Sequence, residues 1–227
     1  MANQLDLEEQ EQLDELKAFW KQYGNLITII LTLALVAFAG WNLYQRWQQN
    51  QATQASALFD EVERTAVAGD TAKLDRVFAD MKDKFPNTTF AQQAGLVAAR
   101  VYFEAAKPEQ SKAALTWVAE KASDEGYQAI AKLRLASVLI ESAAYDEALK
   151  LLAGAYPVEF APLVADRKGD IFMLQGKKSE AQAEFEKAFK GFDERTDYRR
   201  LVEVKLSALG VSPKAETPVT AVVEGKK

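Results

Sequence analysis

Carboxylates and arginines are the side chains in this sequence whose spacing could support chemistry. Histidine and cysteine are both absent, which excludes imidazole acid–base catalysis, thiolate nucleophiles, disulfides and the commonest metal ligands. The sequence also has no glycine-rich phosphate loop and no serine in a strand-to-helix elbow. We therefore predict a non-catalytic protein with no metal, no cofactor and no small-molecule substrate.

The acidic pair Asp166 and Asp170 has the spacing of a helix face. The two residues are four positions apart, so their carboxylates would project from the same side and could coordinate a cation. Arg167 and Lys168 lie between them, and a charge-balanced, solvated surface is therefore the favoured interpretation.

Three arginines recur at nearly regular intervals. Arg134 and Arg167 are 33 residues apart, and Arg100 lies one interval earlier. A ladder of arginines could bind the carboxylates or backbone carbonyls of a partner, whereas the alternative is that each pairs with a neighbouring acid. Together with nearby apolar residues they predict a partner-binding groove, whose candidate residues are Leu96, Arg100, Phe103, Ile130, Leu133, Arg134, Ile140, Asp166, Arg167 and Met173.

The elements that carry these residues are helices. Apolar residues follow helical spacing, and no β-branched run bounded by turn residues argues for a strand. A helix pair is expected within 52–85, followed by helices at 89–106, 109–122, 126–142, 145–153, 161–175, 178–190 and 195–209. Short turns between helices of this length place neighbours antiparallel, so the sequence predicts an all-α fold.

The helices form a repeat. Small and aromatic residues alternate at fixed offsets around Ala148 and again around Ala181, 33 residues later. This pattern with a period of about 34 residues is typical of the tetratricopeptide repeat. In such superhelices the first helix of each pair lines the concave side, where peptides dock. We therefore predict a tetratricopeptide-like superhelix whose groove carries the arginines.

An apolar run over residues 26–44 predicts a membrane anchor. No charge lies between Lys21 and Arg46, and roughly 20 apolar residues in a helix cross a hydrocarbon core about 30 Å thick. Aromatic residues flank both ends, as is typical of headgroup positions: Phe19, Trp20, Tyr23, Trp41, Tyr44 and Trp47. The alternatives are a buried core helix and a signal peptide cleaved at Ala37-Phe38-Ala39, but the leading segment is long and acidic.

The chain therefore divides into four segments. These are an acidic tail (1–22), a transmembrane helix (23–45), a tetratricopeptide-like domain (46–210) and a disordered tail (211–227). Lys17 and Lys21 lie on one side of the span and Arg46 on the other, with Arg64 a further possibility. This slightly favours a cytoplasmic N-terminus under the positive-inside rule. The nearly balanced charge of the part that follows the anchor gives no electrostatic reason to bind nucleic acid.

This order of segments resembles one known family. The resemblance is carried by Gly40-Trp41 after the span, by Leu133-Arg134-Leu135-Ala136 in the middle repeat, and by Val164-Ala165-Asp166-Arg167-Lys168-Gly169 in the last. On these residues and their order the chain resembles the YfgM-like family, ancillary subunits of the SecYEG translocon in Gram-negative inner membranes. The resemblance covers nearly all of the chain up to Leu209.

The resemblance implies a location and a set of partners. The tail 1–22 would be cytoplasmic and the domain 46–210 periplasmic, in a single-pass inner-membrane protein. The expected partners are SecYEG, a membrane-anchored chaperone of the prolyl-isomerase type (PpiD-like) and unfolded secretory chains. The implied function is a scaffold that links the translocon to periplasmic chaperones during export of secretory and outer-membrane proteins. The alternatives are a cell-envelope adaptor and a stress-signalling regulator, neither with a translocon role.

Overall fold

The computed structural model describes residues 7–211, with side chains from residue 11 onward. Nine α-helices and one short 3-10 turn make up this part of the chain, and no strand occurs in it. The all-α prediction is therefore confirmed. The chain divides between Gln54 and Ala55 into two units. The predicted tails 1–22 and 211–227 lie partly outside the described residues.

The first unit is formed by helix α1 (Leu7–Ala68), which also supplies the opening residues of the second unit. Between Glu11 and Ala68 this helix is long and apolar enough to cross a membrane, and its most apolar window has no buried residue. The hydroxyls of Thr28 and Thr32 donate to carbonyls one turn earlier, both at 2.8 Å. These polar groups are thus satisfied within the helix, as a lipid environment requires. One N-terminal candidate transmembrane helix is present, as predicted.

The second unit continues from α1 through antiparallel helix pairs. Its elements are α2 (Thr71–Lys84), α3 (Thr89–Glu104), α4 (Pro108–Lys121), α5 (Glu125–Glu141), α6 (Tyr145–Leu152), a 3-10 turn (Val158–Phe160), α7 (Ala161–Leu174), α8 (Lys178–Gly191) and α9 (Asp197–Ala208). For α3 to α9 the predicted helix ends agree with the observed ones to within two residues, whereas the predicted transmembrane helix and the first helix of the pair within 52–85 are one continuous helix, α1.

Side-chain caps set the start of three helices. Asp70, Thr88 and Asp124 each accept a backbone N–H from three residues further on, at 3.0, 3.3 and 3.0 Å. Each cap satisfies one of the amide groups that the first turn of a helix leaves unpaired. Of the two adjacent threonines, Thr88 is the cap and Thr89 is the first residue of α3.

Helices α3, α5 and α7 end in the same left-handed turn. Ala106, Ala143 and Gly176 follow these helices with φ angles of 56°, 56° and 75°. In each case the next residue donates its N–H to a carbonyl five residues back, at 2.8 to 2.9 Å, which closes the helix. This recurring turn makes α3, α5 and α7 equivalent members of a repeat, although alanine is strained at the position that glycine favours.

Three apolar clusters run through the second unit. The first joins the end of α1 to α5, the second joins α5 to α7, and the third joins α7 to α9. Two glycines allow the helices to pack closely. A Cβ on Gly95 would lie 2.3 Å from Val118 Cγ2, and a Cβ on Gly169 would lie 2.5 Å from Phe185 Cδ1. Since most pairs share a cluster with the next pair, no pair buries its apolar face alone.

Candidate partner-binding groove

Helices α3, α4 and α5 enclose an open pocket of about 270 Å³, here called the α3–α5 groove. The structure brings together three of the predicted residues there: Arg100, Phe103 and Arg134. The remaining lining residues are Ala99, Ser111, Leu115, Ser137, Val138 and Glu141.

The floor of the groove is apolar and already satisfied in hydrogen bonding. Ala99, Leu115 and Val138 are only 2%, 2% and 5% exposed, whereas Phe103 in the wall is 40% exposed. The hydroxyl of Ser111 donates to the Ala99 carbonyl at 2.8 Å, and that of Ser137 donates to a carbonyl of its own helix at 3.1 Å. The surface offered to a ligand at depth is therefore apolar.

The two arginines of the groove differ in their partners. Arg100 Nε lies 3.9 Å from Glu104 Oε1, and because both side chains are more than half exposed this pair contributes little stability. Around Arg134, no carboxylate of residues 11–211 lies within 4.0 Å. The alternative that each arginine pairs with a neighbouring acid therefore does not hold for Arg134, even though Glu141 lines the same groove.

Four of the apolar candidates contribute to the core. Leu96 was expected to contact a partner, but it is buried in the structure and belongs to the core. Ile130, Leu133 and Ile140 are half-buried and pack against the first two clusters. Met173, on α7, is 37% exposed but does not line the α3–α5 groove.

Asp166 requires a clear correction, because it is fully buried. The Lys205 ammonium donates to Asp166 and to Asp170, both at 2.7 Å, and the Tyr198 hydroxyl donates to Asp166 at 2.8 Å. These four residues form what we call the α7–α9 ionic cluster. The expected solvated surface is instead an internal contact, and the Lys205 ammonium occupies the position between the carboxylates that a bound cation would take.

Burial dominates the electrostatics of this cluster. It raises the pKa of the Asp170 carboxyl, against the hydrogen bond from Lys205 that lowers it. Burial, with the Asp166 carboxylate alongside, raises the pKa of Tyr198 to about 12. Arg167 Nη1 lies 3.5 Å from Asp170 Oδ2, so the alternative of pairing with a neighbour holds for this arginine. Arg167 therefore does not extend the ladder as a free cation.

Comparison with known proteins covers most of the chain. A family model described as a tetratricopeptide repeat-like domain matches residues 17–211. The chain is 32% identical over 204 residues to the ancillary SecYEG translocon subunit of Neisseria gonorrhoeae, across 89% of this chain and 98% of that protein. The chain belongs to the family of ancillary SecYEG translocon subunits.

Further members of the family match over similar lengths. The ancillary SecYEG translocon subunit of Haemophilus influenzae is 29% identical over 80% of this chain and 89% of its own. That of Escherichia coli is 26% identical over 89% of this chain and 97% of its own. The predicted resemblance to this family and the tetratricopeptide-like fold are thereby confirmed.

Proposed function

We propose that this ancillary translocon subunit is a non-catalytic, membrane-tethered scaffold that associates with SecYEG and binds proteins through the α3–α5 groove. The names of its relatives support the translocon association. The observation that carries the groove assignment is an arginine, Arg134, without an acidic partner in the described chain, beside the exposed ring of Phe103.

Helix α1 would tether the protein to the inner membrane as a single pass. The apolar side chains of its span are exposed, with Leu33, Leu35 and Phe38 each more than 60% accessible, and this is the surface that lipid would cover. In this arrangement the N-terminal tail is cytoplasmic and the helical unit from Ala55 is periplasmic. Tethering confines partners to one membrane plane, so weak groove binding suffices at the resulting effective concentration.

The groove suits a segment of polypeptide with an acidic residue beside a large apolar one. Arg100 and Arg134 would each bind a carboxylate with charge-assisted hydrogen bonds, while Phe103 and the apolar floor would receive the neighbouring side chain. The volume of about 270 Å³ is below the roughly 300 Å³ at which small-molecule sites begin, which favours one or two anchoring side chains.

The proposed occupants are a periplasmic chaperone of the prolyl-isomerase type (PpiD-like) and unfolded secretory chains. A scaffold holding either at the exit of the translocon would shorten the path between export and folding of secretory and outer-membrane proteins. An adaptor for envelope assembly, or a regulator acting through the cytoplasmic tail, would use the same fold without SecYEG, and both are outcomes of the test.

The test is photo-cross-linking of the full chain in membranes. A probe at Phe103 should form adducts with SecYEG, with the chaperone or with exported chains, while a probe at exposed Ala113 on α4 should not. Arg134→Glu should reduce the Phe103 adduct about tenfold, because roughly 1.4 kcal/mol is lost with the charge-assisted contact. Arg200→Glu, a charge reversal at an exposed position of α9, is the matched control.

Three results would overturn the proposal in distinct ways. Equal adducts at Phe103 and Ala113 would remove the groove as a binding site. Adducts confined to envelope-assembly enzymes would favour the adaptor. Loss of an envelope stress response on deletion of residues 2–16, with no translocon adduct, would favour the regulator.

A further inference from the structure

A second concave surface lies at the end of α6 and shares no lining residue with the α3–α5 groove. It is a cleft of about 570 Å³, here called the α6–α8 cleft. Its lining comes from the end of α6, the turn Val158–Phe160, the first half of α7 and the second half of α8. Its volume lies within the roughly 300 to 1,000 Å³ of established binding sites.

The cleft exists because α6 is short. Helix α6 has 8 residues, whereas α4 and α8, the second helices of the neighbouring pairs, have 14 each. The difference corresponds to about 9 Å of helix at 1.5 Å per residue. Helix α6 ends at Leu152, and residues 153–157, which include Gly154 and Pro157, form a linker to the turn before α7. The cleft is therefore at the position where a longer α6 would continue against α7.

The linker forms a fixed wall. Lys132 on α5 donates to the Ala155 carbonyl at 3.4 Å, and its ammonium lies 5.4 Å from the centre of the Tyr156 ring. The Tyr156 hydroxyl donates to the Leu151 carbonyl at 3.3 Å. Because these contacts hold the linker in place before any partner arrives, little ordering cost would oppose binding.

The cleft combines an exposed apolar side chain with positive charge. Val158 is 85% exposed, and Ala161 lies exposed at the start of α7. No carboxylate of residues 11–211 lies within 4.0 Å of the Lys168 ammonium. Lys187 pairs with Glu184 at 2.6 Å but remains 64% exposed. Glu184 also lines the cleft, so the lining carries one net positive charge beside an apolar patch.

We propose that the α6–α8 cleft binds an acidic amphipathic helix of another protein. The helical form follows from the position of the cleft, because a helix there would extend the row of second helices that α6 leaves short. Its apolar residues, at i, i+3 and i+4, would pack against Val158 and Tyr156, and its carboxylates would face Lys168 and Lys187. This inference does not depend on the α3–α5 groove.

The absence of native cysteine allows the full chain to be labelled at one site. An environment-sensitive fluorophore is attached at Ala153→Cys in the cleft, and at Ala113→Cys on α4 as the control. Both proteins are placed in nanodiscs of phosphatidylethanolamine and phosphatidylglycerol, whose negative charge repels acidic peptides. The probe is a 14-residue helical peptide with leucines on one face and glutamates on the other.

The expected result is a saturable spectral shift at the Ala153 label alone. Peptides with lysine in place of glutamate, or with the same composition in scrambled order, should give none. Lys168→Glu should weaken binding roughly fivefold to tenfold and Lys168→Gln by less, since reversal adds repulsion to the lost attraction. Val158→Ser should weaken binding similarly through lost apolar contact, with circular dichroism confirming that each variant is folded.

Several outcomes would overturn the proposal. These are an equal shift at Ala113, equal binding of the scrambled peptide, or binding that is indifferent to both Lys168 substitutions. A shift reported by a label at Arg100→Cys and not at Ala153 would assign the peptide to the α3–α5 groove. That last result would leave the proposed function standing and remove only the second site.

Discussion

Replacing Asp166 by asparagine tests whether the α7–α9 ionic cluster holds the last helix in place. The substitution keeps the shape of the side chain and an oxygen for the Tyr198 hydroxyl, but it removes the charge that Lys205 contacts at 2.7 Å. Hydrogen bonds to charged groups contribute about 1.5 to 3 kcal/mol. Since Lys205 retains Asp170 and is 22% exposed, we expect a loss of about 2 kcal/mol, within that range.

This loss should be local. In a repeat protein each helix pair contacts only its neighbours, so weakening one contact destabilises the adjacent elements. The third apolar cluster lies between α7 and α9 and is separate from the first. Amide hydrogens of α9 should therefore exchange roughly 30-fold faster, because 1.4 kcal/mol corresponds to a tenfold change. Those of α3 and α4 should be unaffected.

Hydrogen exchange followed by mass spectrometry on the full chain measures both regions together. Glu203→Gln is the matched control, because it is the same acid-to-amide change at an exposed position of α9. Unchanged exchange in α9 of the Asp166→Asn variant would refute the assignment of the ionic cluster as the contact that holds α9. Equal acceleration in α3 would refute the local nature of the coupling.

Three further predictions concern the same unit. Ala143→Gly should raise the free energy of unfolding, measured by urea titration, by about 1 kcal/mol, and Gly176→Ala should lower it by a similar amount, because both positions have positive φ. A destabilised Ala143→Gly variant or a stabilised Gly176→Ala variant would contradict this. Asp170→Asn should match wild type in stability below pH 3.8 and exceed it at about pH 7, because the raised folded-state pKa of Asp170 gives a contribution to stability that is lost as pH rises. A difference that does not depend on pH would refute this. Gly169→Ala should lower the free energy of unfolding by about 1 to 3 kcal/mol, because the added Cβ would lie 2.5 Å from the Phe185 ring and overpack the contact. An unchanged urea midpoint would refute the close contact.

The helices were readable from the sequence because their boundaries are local. A cap such as Thr88 bonds only three residues away, and the turns after α3, α5 and α7 close within five residues. The period between Ala148 and Ala181 then predicts how the pairs stack. Contacts between residues this close in the chain can be predicted from a single sequence, and for this reason the predicted ends of α3 to α9 agree with the structure to within two residues.

The site was only partly predictable because its residues are positioned by distant contacts. Asp166 is separated from Lys205 by 39 positions, and its neighbours in sequence suggest an exposed face. One signal did exist: Lys205 lies between the buried Val202 and Leu206 in the inward stripe of α9, and a charge there requires a partner. Arg100 and Arg134 reach one groove as the period predicts, whereas Ser137, which also lines that groove, is not singled out by the pattern.

A final prediction follows from the position that Asp166 occupies in the repeat. Leu133, 33 residues earlier, is apolar and packs in the second cluster. A buried ion pair is often replaceable by apolar residues of similar size, whereas removal of one partner leaves an uncompensated charge. The variant Asp166→Leu with Lys205→Met should therefore exchange α9 amides within about threefold of wild type.

The single changes provide the comparison. Lys205→Met alone leaves the buried Asp166 carboxylate without a cation, and Asp166→Leu alone removes one of the two carboxylates that Lys205 contacts. Each single change should therefore accelerate α9 exchange by more than about tenfold. Asp170 keeps Arg167 at 3.5 Å in the double variant, so it is not left unpaired. If the double variant is as unstable as the singles, the ionic contact supplies stability that packing cannot replace. If it is not, apolar packing can replace the ionic contact, as the apolar Leu133 packs at the equivalent position of the preceding repeat.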